Sequence, residues 1–355
     1  MLCARKAAFQ YVLYIVLIVL FDVSGFFYSV RLISFSLSFS RNFLILNVFM
    51  SKNLATLIGL SAIIMWASMV GLVKYMSAAI GPAMGITLIY TFSALIVLAI
   101  FRFPNLKLIS KKYLFLATTL FIVYELCFSF AIAYSKTSQQ AIEVSIVNYL
   151  WPSLTILAFV IFKELKFNLL ILFGLLISIS GIIYIQAGND SFSFQSVLNN
   201  LKDNPLSYLL ALSGAIIWAF YCVVTRKMSK GQNPISIFFI GVALTLWLKL
   251  GLTDQLVMPA LNLSLSLYLL LAAAAVGLGY AAWNIGIIHG NITILVVASY
   301  FTPIISSVLA MFVLDTELPV TFWQGTTLVT LGSFICWLSS NWVAIKPFFK
   351  KHFQS

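Results

Sequence analysis

Charge is what this sequence lacks most. Of its 355 residues, only 8% are Asp, Glu, Lys or Arg, and 62% are hydrophobic. A water-soluble domain of this length could not cover its surface with so few charges. The composition excludes an ordinary soluble protein, and repeated apolar runs predict an all-α polytopic membrane protein.

Residues that usually carry chemistry are also scarce. There are nine acids, two histidines and four cysteines, and the cysteines show no CxxC spacing, so we predict neither a disulfide framework nor a metal site. No HExxH, P-loop or nucleophile pattern appears, and the glycine pattern at 277–282 lacks a preceding strand. We therefore predict no enzyme and no cofactor. The net charge of +12 comes from basic residues scattered in short loops and does not indicate a nucleic-acid partner.

Apolar runs of about 20 residues, the length a helix needs to cross a bilayer, follow one another from residue 54. We predict ten spans, at 54–75, 83–101, 113–134, 139–162, 167–187, 207–226, 235–252, 264–288, 291–314 and 320–342.

The basic residues predict the orientation. If Lys52 is cytoplasmic and the spans alternate, thirteen basic residues fall on the cytoplasmic side and four on the other. This bias follows the positive-inside rule, so both ends of the ten-span unit are expected in the cytoplasm. The chain would lie in a bacterial inner membrane.

Residues 1–49 do not fit this scheme. Arg5 and Lys6 precede an apolar stretch that resembles a signal peptide or an extra span. If this stretch formed one further span, Arg5 and Lys6 would lie on the non-cytoplasmic side. If residues 1–49 formed a hairpin of two spans, the second span would carry Arg31 or Arg41 within the membrane. The hypothesis we favour is a translation start at Met50.

The two halves of the chain are similar to each other. At an offset of 152 residues, Trp66 aligns with Trp218, and at an offset of 151, Gly174 and Gly181 align with Gly325 and Gly332. A unit of five spans has an odd number of crossings, so the second copy must be inverted. We predict repeats at 50–187 and 207–343, a polar connector at 188–206 and a basic cytoplasmic tail at 344–355. Inverted repeats place a binding site near the bilayer midplane.

The fourth span carries costly polar residues on one helical face. These residues are Gln140, Glu143, Asn148, Trp151 and Thr155. Polar groups at membrane depth usually face the interior or a wet cavity. Pro152 removes a backbone hydrogen bond here, as Pro303 does in the ninth span, so both are candidate hinges. The alternative is that Asn148 and Thr155 join helices and that each proline is a tolerated kink.

Aromatic residues lie near the middle of several spans. They are Trp66, Trp151, Trp218, Tyr280, Trp283 and Tyr300, and Asn284 shares a face with Tyr280 and Trp283. We predict that they line the site, with an aromatic belt or core packing as the alternative.

Two acids lie at membrane depth. Glu143 aligns with Ile294, and Glu125 shares a face of the third span with Ser129. Either acid could carry a proton, bind a substrate ammonium or pair internally.

Three long segments resemble the EamA branch of the drug/metabolite transporter superfamily. They read AIEVSIVNYLWPSLTIL, LSYLLALSGAIIWAFYC and YAAWNIGIIHGNITILVVASYFTPIISS. The resemblance covers about residues 51–342 and implies a ten-helix bundle with cytoplasmic termini. It also implies export of aromatic and other neutral amino acids.

The resemblance implies that these aromatic residues hold the side chain of the substrate. Asn148 and Asn284 would meet its polar groups, and Glu143 would pair with its ammonium. The partners are an amino acid and the lipid bilayer, and the oligomeric state, a monomer included, stays open. The alternative is a permease of the same fold for another small metabolite or a cationic drug.

Overall fold

The computed structural model describes residues 51–187, 194–253 and 257–353. The predicted extension at 1–49 lies outside the described residues, as do 188–193 of the predicted connector. Within the described ranges the chain forms thirteen α-helices, a short 3-10 turn at Leu106–Leu108 and no strand. The all-α prediction is confirmed for this part of the chain.

The helices differ widely in length. In chain order they are α1 (Lys52–Ile80), α2 (Pro82–Phe101), α3 (Lys111–Ala133), α4 (Ser138–Asn148), α5 (Trp151–Ile161), α6 (Leu169–Gln186), α7 (Phe194–Asp203), α8 (Pro205–Met228), α9 (Ile235–Leu252), α10 (Leu263–His289), α11 (Ile292–Ser299), α12 (Thr302–Leu314) and α13 (Val320–Phe353).

Eight segments of the described chain are long and apolar enough to cross a bilayer. They are Lys52–Ile80, Pro82–Phe101, Lys111–Ala133, Ser138–Ile161, Leu169–Gln186, Pro205–Met228, Ile235–Leu252 and Leu263–Trp283. Each agrees with one of the first eight predicted spans. The predicted ninth span is divided between α11 and the 13-residue α12, and the predicted tenth lies within the 34-residue α13. The fold is therefore that of a polytopic helical membrane protein.

Local sequence determines how the first two helices begin and end. The Ser51 side chain accepts a hydrogen bond from the backbone N–H of Leu54 at 3.2 Å and so caps α1. Gly81 then adopts a φ of 86°, which a residue with a side chain rarely tolerates, and Pro82 opens α2. A Gly-Pro pair thus turns the chain sharply between two spans.

Proline divides the fourth and ninth spans in the same way. Pro152 lies in the first turn of α5, and Pro303 lies in the first turn of α12. A proline is accommodated in the first turn of a helix but not in its interior, so each span restarts at its proline. The carbonyl of Ser299 accepts a hydrogen bond from the Thr302 hydroxyl at 2.6 Å.

The helices pack in a recurring set of pairs. Helix α1 packs on α10 and α12, while α8 packs on α3 and α5; α2 packs on α9, and α6 packs on α13. These pairings place residues from α1, α3, α5, α8 and α10 around one interior region.

Small residues allow α6 and α13 to cross closely. A Cβ added at Gly174 would lie 2.6 Å from the carbonyl oxygen of Gly332, and one added at Gly181 would lie 2.5 Å from that of Gly325. Between these contacts, the Ser178 hydroxyl donates to the carbonyl of Val329 at 3.2 Å. Glycine is required because the two backbones touch at both points.

Candidate functional site

Aromatic rings from five helices meet in the interior. Ring centroids lie 5.3 Å apart for Trp66 and Trp283, 5.2 Å for Trp66 and Tyr280, and 6.2 Å for Trp151 and Trp218. Phe121 of α3 joins these groups, at 5.8 Å from Tyr280 and 6.4 Å from Trp218. We call these rings and their neighbours the aromatic cluster: Trp66, Phe121, Tyr124, Trp151, Trp218, Tyr221, Tyr280 and Trp283.

Helical spacing aims the rings at one another. Tyr280 and Trp283 lie three residues apart on α10, as do Trp218 and Tyr221 on α8, so each pair shares a face. The rings of Trp218 and Tyr221 are stacked with centroids 4.8 Å apart. Trp151 is the first residue of α5 because the fourth span restarts at Pro152. All five predicted residues of the cluster remain only partly buried although they pack against the core.

A buried carboxylate adjoins the cluster. Glu125 of α3 is 2% exposed. The Tyr90 hydroxyl of α2 donates to its Oε2 at 2.5 Å, and the Tyr280 hydroxyl of α10 donates to its Oε1 at 3.1 Å. Tyr90 also lies 2.9 Å from the Ser129 hydroxyl. Two phenol donors therefore offset part of the desolvation cost of the carboxylate and link it to the aromatic cluster through Tyr280.

Glu143 has different neighbours. Its Oε1 accepts a hydrogen bond from the Gln139 amide one turn earlier at 2.7 Å, and its Oε2 lies 3.5 Å from the Tyr208 hydroxyl of α8. The two acids singled out from the sequence thus occupy separate polar environments, and it is Glu125 that contacts a ring of the aromatic cluster.

Asn148 and Thr155 use their polar groups within the protein. Asn148 is 1% exposed, and its amide donates to the carbonyl of Ala211 on α8 at 3.0 Å. The Thr155 hydroxyl donates to the carbonyl of Trp151 at 2.7 Å. The Asn148 contact joins two helices, as the alternative supposes, whereas the Thr155 contact lies within α5. A role for Asn148 in binding substrate stays a prediction.

Tyr300 belongs to a separate group of rings. It lies at the break between α11 and α12, is buried, and has centroid distances of 6.3 Å to Phe334 and 6.2 Å to Trp337 of α13. Its predicted role would require this second group to join the site. The side chain of Asn284 lies outside the part of the chain that the structure describes.

Ion pairs lie near both ends of α8. At one end the Lys136 ammonium lies 2.6 Å from the Asp203 carboxylate, and this hydrogen bond holds the pKa of Asp203 below its usual value. At the other end the Lys227 ammonium lies 3.0 Å from Glu164, which follows α5. These contacts place the two ends of α8, one of them through Asp203 at the end of α7, next to the two ends of the divided fourth span.

Sequence reasoning missed Phe121, Tyr124, Tyr221 and Tyr90. Tyr124 is adjacent to Glu125, and its ring centroid lies 4.5 Å from that of Trp218. The available signal was spacing: Phe121 and Tyr124 are three residues apart and share a face of α3. The same spacing had drawn attention to Tyr280 and Trp283.

Comparison with known proteins identifies the family of this chain. Residues 205–338 match the EamA-like transporter family. The chain is 44% identical over 294 residues to the aromatic amino acid exporter YddG of Salmonella typhimurium strain 14028s, covering 82% of this chain and 99% of the relative. This chain belongs to the EamA-like transporter family. The YddG exporter of Escherichia coli K12 gives the same identity and coverage.

More distant relatives agree with this assignment. The YddG exporter of Ancylobacter novellus is 25% identical over 266 residues, covering 73% of this chain and 88% of the relative. A solved crystal structure that is 22% identical shares the fold, with a TM-score of 0.58 over 81% of this chain and 98% of the other. The EamA resemblance is confirmed, and the protein is a multi-pass transporter of the inner membrane.

Proposed function

We propose that this EamA-family protein exports aromatic, and also other neutral, amino acids across the inner membrane by alternating access. The observation that carries the proposal is the aromatic cluster: indole and phenol rings from five helices converge in the interior and stay partly accessible. Such rings favour an aromatic guest through stacked or edge contacts. The relatives named as aromatic amino acid exporters support the same substrate class.

The proposed architecture is ten helices in two inverted five-helix repeats. In a two-fold arrangement, residue i of one copy contacts residue j of the other, and the reverse contact also occurs. Gly174 aligns with Gly325 and Gly181 with Gly332, yet Gly174 meets Gly332 and Gly181 meets Gly325. Ser178, midway, meets Val329, the residue that aligns with it. This crossing pattern supports a pseudo-two-fold axis through α6 and α13.

The helix pairs support the same arrangement. If the repeats begin at α1 and α8, α3 corresponds to α10, so the α1–α10 and α8–α3 pairs are equivalent. The breaks at Pro152 and Pro303 are also equivalent at an offset of 151 residues. We retain the repeat boundaries at 50–187 and 207–343, the connector at 188–206 and the cytoplasmic tail at 344–355 as part of this proposal. The orientation rests on the basic residues of the loops.

For binding, the substrate side chain would lie among the rings of the aromatic cluster. The geometry favours Glu125 as the acid that meets the substrate ammonium or a proton, because Tyr280 links it to the cluster. Glu143 would act from the neighbouring α4–α8 contact. Pro152 and Pro303 would serve as hinges, since each already divides a span into two helices.

Counterflow in liposomes tests the proposal. Purified protein would be reconstituted with unlabelled tryptophan inside, and uptake of labelled tryptophan, phenylalanine, tyrosine, lysine and aspartate would be measured at two imposed pH gradients. We expect saturable counterflow of the three aromatic amino acids and little of the charged ones. Counterflow of none of the aromatic amino acids by folded protein would refute the proposal. A dependence on the pH gradient would indicate proton coupling.

One observation favours a second function, transport of an organic cation. A buried carboxylate beside partly exposed aromatic faces suits a cationic drug through cation–π and charge attraction. The same liposomes would be assayed with a labelled lipophilic cation. Counterflow of the cation that tryptophan does not compete with would favour this alternative.

A further inference from the structure

Helices α1 and α10 touch backbone to backbone. A Cβ added at Gly59 would lie 2.8 Å from the Cα of Gly286, and one added at Gly286 would lie 2.6 Å from the Cα of Gly59. The axes therefore come closer than side chains on both helices would permit. We call this contact and its continuation toward the aromatic cluster the α1–α10 seam.

Two turns further along the seam, a large residue meets a glycine. Trp66 lies seven residues after Gly59, and Gly279 lies seven residues before Gly286, as antiparallel helices require. A Cβ added at Gly279 would lie 2.6 Å from Nε1 and 2.8 Å from Cδ1 of Trp66. The indole thus occupies the space that a side chain at position 279 would fill.

The displaced ring would have to move toward the cluster. Trp66 also contacts Tyr280 and Trp283 on the same helix, with centroids 5.2 and 5.3 Å away. Moving α10 away from α1 would break the close packing of Gly59 on Gly286, so the ring is the part that yields at lower cost. A methyl group at position 279 would therefore push the indole away from the α10 backbone and toward the other rings of the cluster.

We propose that Gly279 determines substrate size: its missing side chain lets Trp66 withdraw against the α10 backbone and leaves room for the largest aromatic amino acid. This inference rests on the proposed function, since it assigns a residue that selects among the proposed substrates. Gly279 would be a positioning residue that acts through Trp66.

The experiment compares counterflow of tryptophan and phenylalanine in Gly279→Ala. We expect the tryptophan-to-phenylalanine ratio to fall about tenfold, the discrimination that one misplaced methyl group gives in an apolar pocket. Gly277→Ala is the matched control, because a Cβ there would meet Ser93 of α2 at 3.2 Å and not Trp66. Its ratio should equal that of the wild type. An unchanged ratio in Gly279→Ala, or an equal change in Gly277→Ala, would overturn the inference.

A double variant keeps the test decisive if Gly279→Ala folds poorly. Trp66→Ala removes the ring with which the new methyl group collides, so Gly279→Ala should cost no further thermal stability in that background. If Gly279→Ala lowers thermal stability equally in the wild type and in Trp66→Ala, the missing side chain at position 279 does not accommodate this ring. This coupling is measured by unfolding, so it remains interpretable if the wild type transports no aromatic amino acid. In that case the proposed function fails and the contact between positions 66 and 279 is judged separately.

Discussion

The two helix pairs that flank the aromatic cluster are closed by different means. In the α1–α10 pair, an added Cβ at Gly59 or Gly286 would lie within 2.8 Å of the opposite backbone. In the α3–α8 pair, an added Cβ at Gly214 would lie 3.6 Å from Cys127 of α3, an ordinary contact, and 2.9 Å from the Asn148 amide of α4. The first pair is therefore held by backbone contact, whereas at Gly214 the backbones of the second pair are farther apart.

Polar side chains close the α3–α8 pair instead. Beyond the end of α3, Lys136 binds Asp203, and the Asn204 amide donates to the carbonyl of Tyr134 at 3.0 Å. In the α1–α10 pair the corresponding end is again a close contact, since a Cβ at Gly290 would lie 3.0 Å from the backbone nitrogen of Thr56.

The aligned tryptophans differ accordingly. Trp66 is pressed against Gly279, whereas Trp218 stacks with Tyr221 at 4.8 Å and packs on Tyr124 at 4.5 Å. Gly279 aligns with Cys127 at the 152-residue offset. Two similar half-sequences therefore pack their aligned tryptophans differently, with Trp66 against the α10 backbone and Trp218 against other rings.

The largest effect is expected from filling the closest contact. Gly59→Leu should lower the free energy of unfolding by about 3 kcal/mol, because neither backbone can move apart without unpacking the seam. Thermal unfolding in detergent measures this loss. Gly251→Leu is the matched control, because nothing lies within 4 Å of a Cβ at that position. Equal losses in the two variants would contradict the account of the α1–α10 seam.

The two helix pairs also differ in charge, because Glu125 of α3 aligns with Val276 or Gly277 of α10, neither of which is acidic. Glu125→Gln removes the charge and keeps a single acceptor oxygen, so it can accept from only one of Tyr90 and Tyr280, which donate to different oxygens of Glu125. We expect transport to fall about tenfold, the equivalent of the ~1.5 kcal/mol that a hydrogen bond to a charged group contributes. Initial counterflow rates would be compared with those of Glu143→Gln, for which a smaller loss is expected. Wild-type transport by Glu125→Gln would remove this acid from the site.

The stacked tryptophan should give a moderate effect. Trp218→Phe shortens the ring that packs between Tyr124 and Tyr221, so the affinity for tryptophan should fall severalfold, corresponding to about 1 kcal/mol for an aromatic pair. The affinity would be measured by competition in the counterflow assay. Trp323→Phe serves as the control, because Trp323 packs on Phe322 within α13. An equal loss of affinity in both variants would contradict a specific role for Trp218.

The smallest effect is expected at the polar end of the α3–α8 pair. Lys136→Gln removes an exposed ion pair, so the melting temperature at pH 7 should barely change. The pair lowers the pKa of Asp203, so its contribution is present above the ordinary aspartate pKa and is lost as the pH falls through the lowered value. The variant should therefore be less sensitive to acid than the wild type. A large loss of stability at pH 7 would show that the Lys136–Asp203 pair stabilises the protein more than exposed ion pairs usually do.

The spans and the family could be predicted from the sequence because apolar runs and long matching segments are local properties. Trp66, Trp218, Tyr280 and Trp283 could also be predicted as site residues from their positions near the middle of the spans. The structure brings the rings of Trp66, Tyr280 and Trp283 together and links Trp218 to Tyr280 through Phe121. Tyr300 was predicted from a similar position along its span, but its ring packs on α13. The position of a residue along a span does not determine which neighbouring helix its side chain faces.

The same reason explains the two acids. Glu143 stood out because it shares a face with other polar residues of the fourth span, whereas the partners of Glu125 come from α2 and α10. The seven-residue match that brings Trp66 onto Gly279 depends on the relative register of two helices more than 200 residues apart in sequence. Such register is fixed by tertiary packing and has no signal in either helix alone.

Equilibrium binding of labelled tryptophan to the purified protein in nanodiscs tests the central claim most directly, namely that the aromatic cluster holds the substrate side chain. We predict saturable binding that is strongly weakened in both Trp66→Ala and Trp218→Ala and is retained in Trp323→Phe. Binding that survives in folded Trp66→Ala and Trp218→Ala would contradict it.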